Sequence, residues 1–100
     1  MYNVGDVVLF LSKDPIRHLN VMFGRGTYLS EEEIQDDEYV GVITNVSSFD
    51  IGVGTINIYN VSTIRPIEGL SCTVPERKIT RVLNQEEWTE DEYSYFNQES

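Results

Sequence analysis

The fold of this chain is decided by residues 39–67, YVGVITNVSSFDIGVGTINIYNVSTIRPI. Apolar residues recur there mostly at every second position, which is the period of a strand with one buried face, and both halves are rich in β-branched residues. Residues 47–50, with Gly52 and Gly54, supply the turn or bulge between the halves. The stretch predicts a β-hairpin with arms at about 39–47 and 54–60.

Length and composition indicate one folded domain. The chain has 100 residues, of which 40% are apolar and 11% aromatic, enough for one modest core. No apolar run approaches the roughly 20 residues that span a bilayer, and the N-terminus lacks the basic start and apolar core of a signal peptide. These features predict a soluble, cytoplasmic protein.

Short strands are predicted on both sides of the hairpin. Apolar and β-branched runs place them at residues 4–11, 19–23, 72–74 and 79–83. Turn residues predict breaks at 60–63, 68–70 and 75–78, and Pro66 marks a sheet edge or a strand end. Several short strands at close spacing are typical of a sandwich or a small barrel.

Two segments hold most of the acids. The net charge is −10, and residues 30–39 and 84–100 carry six acids each and no base, whereas the remaining residues carry seven bases and five acids. A negative field repels phosphate backbones and anionic lipids, so direct nucleic-acid binding is disfavoured. The acidity belongs to these segments and not to the rest of the domain.

The first acidic segment has two readings. Ser30 followed by Glu33 is a capping-box pattern, and acids in a first turn complement the helix dipole. The sequence is therefore consistent with a short helix at about 31–36 or with a solvated loop. Either structure leaves the acids exposed.

The second acidic segment interleaves acids with aromatic residues. Thr89 followed by Glu92 can cap a short helix. In such a helix Trp88, Tyr95 and Phe96 approach one face and most acids point outward. Exposed aromatic residues are costly, so they either pack on the domain or meet a partner, and the two readings are compatible.

Three short pieces resemble an SH3-like small barrel of the KOW or Tudor type: VGDVVLF at the start, YVGVITNV in the middle and TVPERKITRVL near the end. The resemblance covers about residues 2–83. It implies a small barrel of about five short strands. Together with the acidic segments, the expectation is a mostly β domain over residues 1–83 with a short acidic helix or loop, followed by an acidic C-terminal helix or arm at 84–100. The long 12–38 connection departs from the compact pattern, and so a KOW-type nucleic-acid role is not carried over.

No catalytic residue, metal ligand or cofactor site is predicted. His18 is the only histidine and lies in a predicted loop without an identifiable nucleophile. The acidic runs lack the spacing of a calcium loop. A single cysteine, Cys72, excludes an internal disulfide, and its apolar neighbours indicate a buried small hydrophobe.

An aromatic cage for a methylated lysine is a further reading, since ring faces attract quaternary cations. It would draw on Tyr28, Tyr39, Phe49 and Tyr59. Strand aromatics are more often core or cross-strand partners, which favours a structural role.

The leading hypothesis is a non-enzymatic binding protein, phage-like in composition, that inhibits or modulates a partner by occupying its basic site and imitating the charge of a nucleic acid. The alternative is an adaptor whose C-terminal motif docks into a groove of another protein through aromatic anchors. The residues predicted to contact the partner are Glu31, Glu32, Glu33, Asp36, Asp37, Glu38, Glu86, Glu87, Trp88, Glu90, Asp91, Glu92, Tyr93, Tyr95 and Phe96.

Overall fold

A computed structural model describes residues 2–16 and 35–97 of the chain. These residues form five strands and a C-terminal helix, with short 3₁₀ turns at Glu76–Lys78 and Gln85–Glu87, and residues 14–16 are also helical. The strands are β1 (Val7–Ser12), β2 (Asp37–Asp50), β3 (Thr55–Arg65), β4 (Ser71–Pro75) and β5 (Ile79–Val82), and the helix is α1 (Glu90–Asn97). The prediction of a mostly β domain with about five strands and a C-terminal helix is confirmed.

All five strands form one antiparallel sheet in the order β4-β3-β2-β1-β5. Strand β2 is long enough to pair with two neighbours. Its first part pairs with β1, from Ser12↔Asp37 to Val7↔Val42, and almost its whole length pairs with β3. Register shifts between Val40 and Gly41 and between Ile43 and Asn45 interrupt the ladder with β3, as bulges do where a strand bends.

The predicted hairpin is present and longer than expected. Strand β2 ends at Asp50 and β3 begins at Thr55. The turn between them contains Gly52 at φ 85°, where a residue without Cβ is favoured. The predicted turn at 60–63 is wrong, because β3 continues through it to Arg65. Val61 and Thr63 are fully buried there, and their inward packing outweighs the turn preference of the neighbouring Asn and Ser.

The remaining strands agree with the prediction to within a few residues. The first begins at Val7 and the last ends at Val82, and the predicted turn at 75–78 contains a 3₁₀ turn. The predicted strand at 19–23 lies outside the described residues. Of the predicted helix or loop at 31–36, only residues 35 and 36 are described, and neither is helical.

The core lies on both faces of β1 because successive strand residues point to opposite sides. Val8 and Phe10 belong to the main cluster, with Tyr59 and Val61 of β3. Other members of this cluster are Tyr39, Ile43, Cys72, Val74 and Ile79. A smaller cluster of Val7, Val40 and Leu83 packs against Leu9 and Trp88. The C-terminal segment therefore covers an apolar patch of the sheet.

Gly41 lies where strands β2 and β3 approach each other closely. A Cβ at this position would lie 2.5 Å from the Ser62 carbonyl oxygen and 2.7 Å from Val61 Cγ1. We expect Gly41→Ala to lower the free energy of unfolding by about 3 kcal/mol, since the clash involves backbone that cannot move freely. Urea denaturation measures this. Asn45→Ala, at an exposed position of the same strand, is the control, with an expected change within about 0.5 kcal/mol.

Candidate functional site: an acidic groove beside the C-terminal helix

Trp88 anchors the C-terminal segment to the sheet. Its side chain packs against the cluster of Val7, Val40 and Leu83, and its ring stacks on Phe96 with centroids 5.1 Å apart. The indole Nε1 is buried and has no hydrogen-bond partner within residues 2–16 and 35–97. Burial of so large an apolar surface holds the segment on the domain.

Glu92 provides the polar counterpart of this anchor. Its side chain is fully buried and accepts hydrogen bonds from Arg65 Nε at 2.8 Å and from the Thr89 hydroxyl at 2.5 Å. Thr89 also accepts a hydrogen bond from the Asp91 N–H at the start of α1. The predicted Thr89 and Glu92 pair does start the helix, but Glu92 points inward to β3 and not to solvent.

The charge of Glu92 is maintained by its partners. Burial raises the pKa of its carboxyl, but the hydrogen bonds from Thr89 and Arg65 outweigh burial, and the pKa lies below its usual value. A buried carboxylate that is paired in this way is ionised at neutral pH. Arg65 is thereby neutralised where β3 ends.

Beside this pair a groove of about 350 Å³ separates the sheet from α1. It is lined by Leu9, Glu38, Tyr39, Val40, Arg65, Pro66 and Asp91. Glu38 belongs to the first acidic segment and Asp91 to the second. The fold brings one carboxylate from each segment to the same groove, although 53 residues of sequence separate them.

Most of the surface of this groove is polar. Leu9, Val40 and Pro66 contribute its smaller apolar part, and Val40 is only 3% exposed. Neither Glu38 nor Asp91 forms an ion pair within the described residues, whereas Arg65 is paired with Glu92. The groove therefore offers two carboxylates without an ion pair among residues 2–16 and 35–97, beside a small apolar area.

The other predicted acids are distributed differently. Asp37, Glu86 and Glu90 are exposed, while Asp36 pairs with Lys78 and Glu87 with Arg81. The hydrogen bond from Arg81 lowers the pKa of Glu87. Glu31, Glu32 and Glu33 lie outside the described residues.

The predicted aromatic contacts are partly used inside the domain. Tyr93 and Phe96 are 46% and 39% exposed, and the Tyr93 hydroxyl donates to the Gln85 carbonyl at 2.9 Å. Tyr95 is half-buried and meets the edge of Phe96. Trp88 faces the sheet, so the outward aromatic surface of α1 consists of Tyr93 and Phe96.

Arg65 was not predicted as a site residue, since its role depends on a partner 27 residues away in sequence. A second cavity, of about 210 Å³, was also not foreseen. It is lined by the bases Lys13, Arg77 and Lys78 together with Asp14 and Asp36. This cavity is also lined by Leu11 and Ser12 of β1, and Asp36 lines it and not the acidic groove.

Burial bears on two further predictions, the aromatic cage and the buried cysteine. Tyr39 and Tyr59 belong to the core, with 3% and 0% of their surface exposed, so they do not offer open ring faces for a cage. Tyr28 lies outside the described residues. Cys72 is a buried small residue as predicted, and burial raises the pKa of its thiol to about 11.

Within the described ranges, no cluster of three or more His, Cys, Asp or Glu side chains could hold a metal ion. None of the helices in that part of the chain has the length and apolarity needed to cross a membrane. Comparison with protein-family models, curated proteins and solved structures gives no match. Functional inference therefore rests on the geometry of the chain itself.

The Arg65–Glu92 pair should make the stability of the protein depend on pH. Because the pKa of Glu92 is lowered by folding, its contribution to stability is present above the usual glutamate pKa of about 4.3 and is lost as pH falls through the lower folded value. At neutral pH we expect Glu92→Gln to destabilise the protein by about 1–3 kcal/mol. The difference from wild type should shrink in acid. Urea unfolding followed by the fluorescence of Trp88 measures both.

Glu90→Gln, at an exposed position of the same helix, is the matched control for Glu92→Gln. Its effect should stay within about 0.5 kcal/mol at any pH. If Glu92→Gln behaved like Glu90→Gln, the pair would not anchor the helix.

Proposed function

We propose that this protein is a non-enzymatic binding module that uses an acidic surface to occupy a basic site on a partner protein. The observation that carries the proposal is the groove in which Glu38 and Asp91 meet from the two acidic segments. Neither has an ion-pair partner among the described residues. Such carboxylates can meet a cation without first breaking an internal ion pair.

The chemistry of the groove fits a lysine or arginine side chain. The methylene stem of either residue can contact Leu9 and Pro66, while its charged head meets Glu38 and Asp91. The neutralisation of Arg65 by Glu92 supports this assignment, because a free guanidinium in the groove would repel the incoming cation.

The wider surface adds long-range attraction. Glu86 and Glu90 are exposed on the C-terminal segment, and Asp37 is exposed at the start of β2. With a net charge of −10, the protein attracts basic surfaces and accelerates encounter with them. Competition for a site that normally holds nucleic acid is the inhibitory role that we propose for this charge.

We further propose that the sheet is an SH3-like barrel of the KOW or Tudor type. The strand order β4-β3-β2-β1-β5 and the 3₁₀ turn between β4 and β5 support this assignment. Fold does not imply function, and the acidic groove argues for a protein partner in preference to a nucleic acid.

The adaptor alternative has support from the exposed rings of Tyr93 and Phe96. In this version the partner receives a folded helix and not an extended peptide, because Trp88 and Glu92 hold α1 on the sheet. Tyr93→Ser and Phe96→Ser would weaken binding in this case, and salt would have little effect.

The charge proposal is tested by affinity capture from a lysate at low and high salt, followed by binding measurements with the captured protein. We expect a basic partner whose retention falls as salt rises. Glu38→Gln combined with Asp91→Asn should weaken binding about tenfold or more, since each removes a contact with a desolvated cation. Isothermal titration calorimetry measures the loss.

Glu86→Gln combined with Glu90→Gln is the control, because it removes the same charge from exposed positions outside the groove. This pair should mainly slow association and change the affinity less. Recovery of only neutral or acidic partners, with no dependence on salt, would contradict the proposal.

A further inference from the structure

The far half of the β2–β3 hairpin extends beyond the rest of the sheet. Strand β1 pairs with β2 only as far as Val42, and β4 pairs with β3 only from Ile58. Residues 44–50 of β2 therefore have a ladder partner on one side alone within residues 2–16 and 35–97. We call residues 44–50 the free edge.

The direction of the backbone groups along the free edge follows from the turn. The Ile51 N–H donates to the Gly54 carbonyl at 3.0 Å, and hydrogen-bonded pairs alternate with non-hydrogen-bonded pairs along an antiparallel ladder. The pair Ser48↔Asn57 is thus non-hydrogen-bonded. The N–H and C=O groups of Val46, Ser48 and Asp50 point away from β3.

A hydrogen bond at the other end of the hairpin agrees with this alternation. The bulge lies between Ile43 and Asn45, and beyond it the Ile43 N–H donates away from β3, to the Asp6 carbonyl at 2.9 Å. The outward groups of Val46, Ser48 and Asp50 continue along that side of β2. They form a row without a partner in the described part of the chain.

Between the bulge at its start and Asp50 at its end, the free edge has none of the charged or proline residues that usually prevent strand pairing. Residues 44–50 contain no lysine or proline, and Asp50 is the only charged residue between positions 39 and 64. At the tip, Phe49, Ile51 and Val53 are 53%, 53% and 91% exposed. An open edge of this kind is a template for pairing with another strand.

We propose that the free edge of β2 pairs antiparallel with the same edge of a second copy of this chain. The distribution of charge favours a second copy of this chain as the partner and the free edge as the contact. Two copies with a net charge of −10 each repel one another wherever their acidic segments meet. The hairpin is nearly uncharged, so two copies can approach there with the least repulsion.

The alternation limits the register to pairs among the outward residues, and we place the centre of the pair at Ser48, the middle one of the three. A two-fold axis at Ser48 places each Ser48 opposite its counterpart and each Asp50 opposite Val46, so like charges do not face one another. The outward N–H and C=O groups of these residues then hydrogen-bond across the axis. The two Phe49 rings become diagonal neighbours on one face, within reach of each other.

Proline scanning at the axis tests the proposal. Sedimentation velocity of wild type over a wide range of concentrations should show a monomer–dimer equilibrium. Ser48→Pro removes an outward N–H that β3 does not use, so circular dichroism should show a retained fold. Its dimerisation constant should fall about tenfold or more, because symmetry removes two donors.

Ser48→Ala is the matched control, since it removes the hydroxyl and keeps the N–H, and it should dimerise like wild type. Wild type that stays monomeric at every concentration would overturn the proposal. Undiminished dimerisation of folded Ser48→Pro would overturn it as well, because the dimer would then use another surface.

Cross-linking tests the register. In Ser48→Cys the two introduced thiols should lie about 5.5 Å apart between Cα atoms, within disulfide range, and mild oxidation should give a covalent dimer. Cys72 is buried and does not interfere. Ser94→Cys, at an exposed position of α1, should remain monomeric under the same oxidation, and equal cross-linking of both variants would refute the register.

The effect of salt distinguishes dimerisation from binding to a basic partner. Screening weakens the repulsion between two acidic copies, so added salt should strengthen dimerisation, while it weakens binding to a basic surface. Dimerisation that weakens with salt would contradict the uncharged edge as the interface.

Discussion

The pairing of strand β2 with two neighbours positions the other strands of the sheet. The 14 residues of β2 pair with β1 over the first part and with β3 over nearly the whole length, so this strand connects both halves of the sheet. Gly41 permits this, because no side chain fits between the strands at the first register shift. Antiparallel pairing on both sides leaves β2 little freedom, and the positions of β1, β3 and their neighbours follow from it.

The C-terminal segment completes the domain through one apolar and one polar contact. Trp88 covers Val7, Val40 and Leu83 on the face of β1 opposite to the main core, while Glu92 fixes α1 to Arg65 at the end of β3. Burial of a charge is costly unless it is paired. The pair therefore specifies where α1 lies, and the acidic groove exists because α1 lies there.

The two proposed contacts lie on different parts of the protein and have opposite electrostatic properties. The groove holds two carboxylates near the end of β3, whereas the hairpin beyond Ile43 is almost free of charge. Electrostatic attraction at the first and backbone pairing at the second respond differently to salt. A dimer formed through the hairpin would present two acidic grooves to its partners.

Most elements of the fold could be predicted from local sequence patterns. Alternation and β-branched residues predicted the hairpin and most of the strands, and Thr89 with Glu92 predicted the helix start. Three features depend on long-range contacts: β3 continues through 60–63, Glu92 is buried, and Glu38 and Asp91 share a groove. Local patterns report the period and the caps of an element. They do not report which distant residue lies beside it, because pairing and burial are set by contacts between segments far apart in the chain.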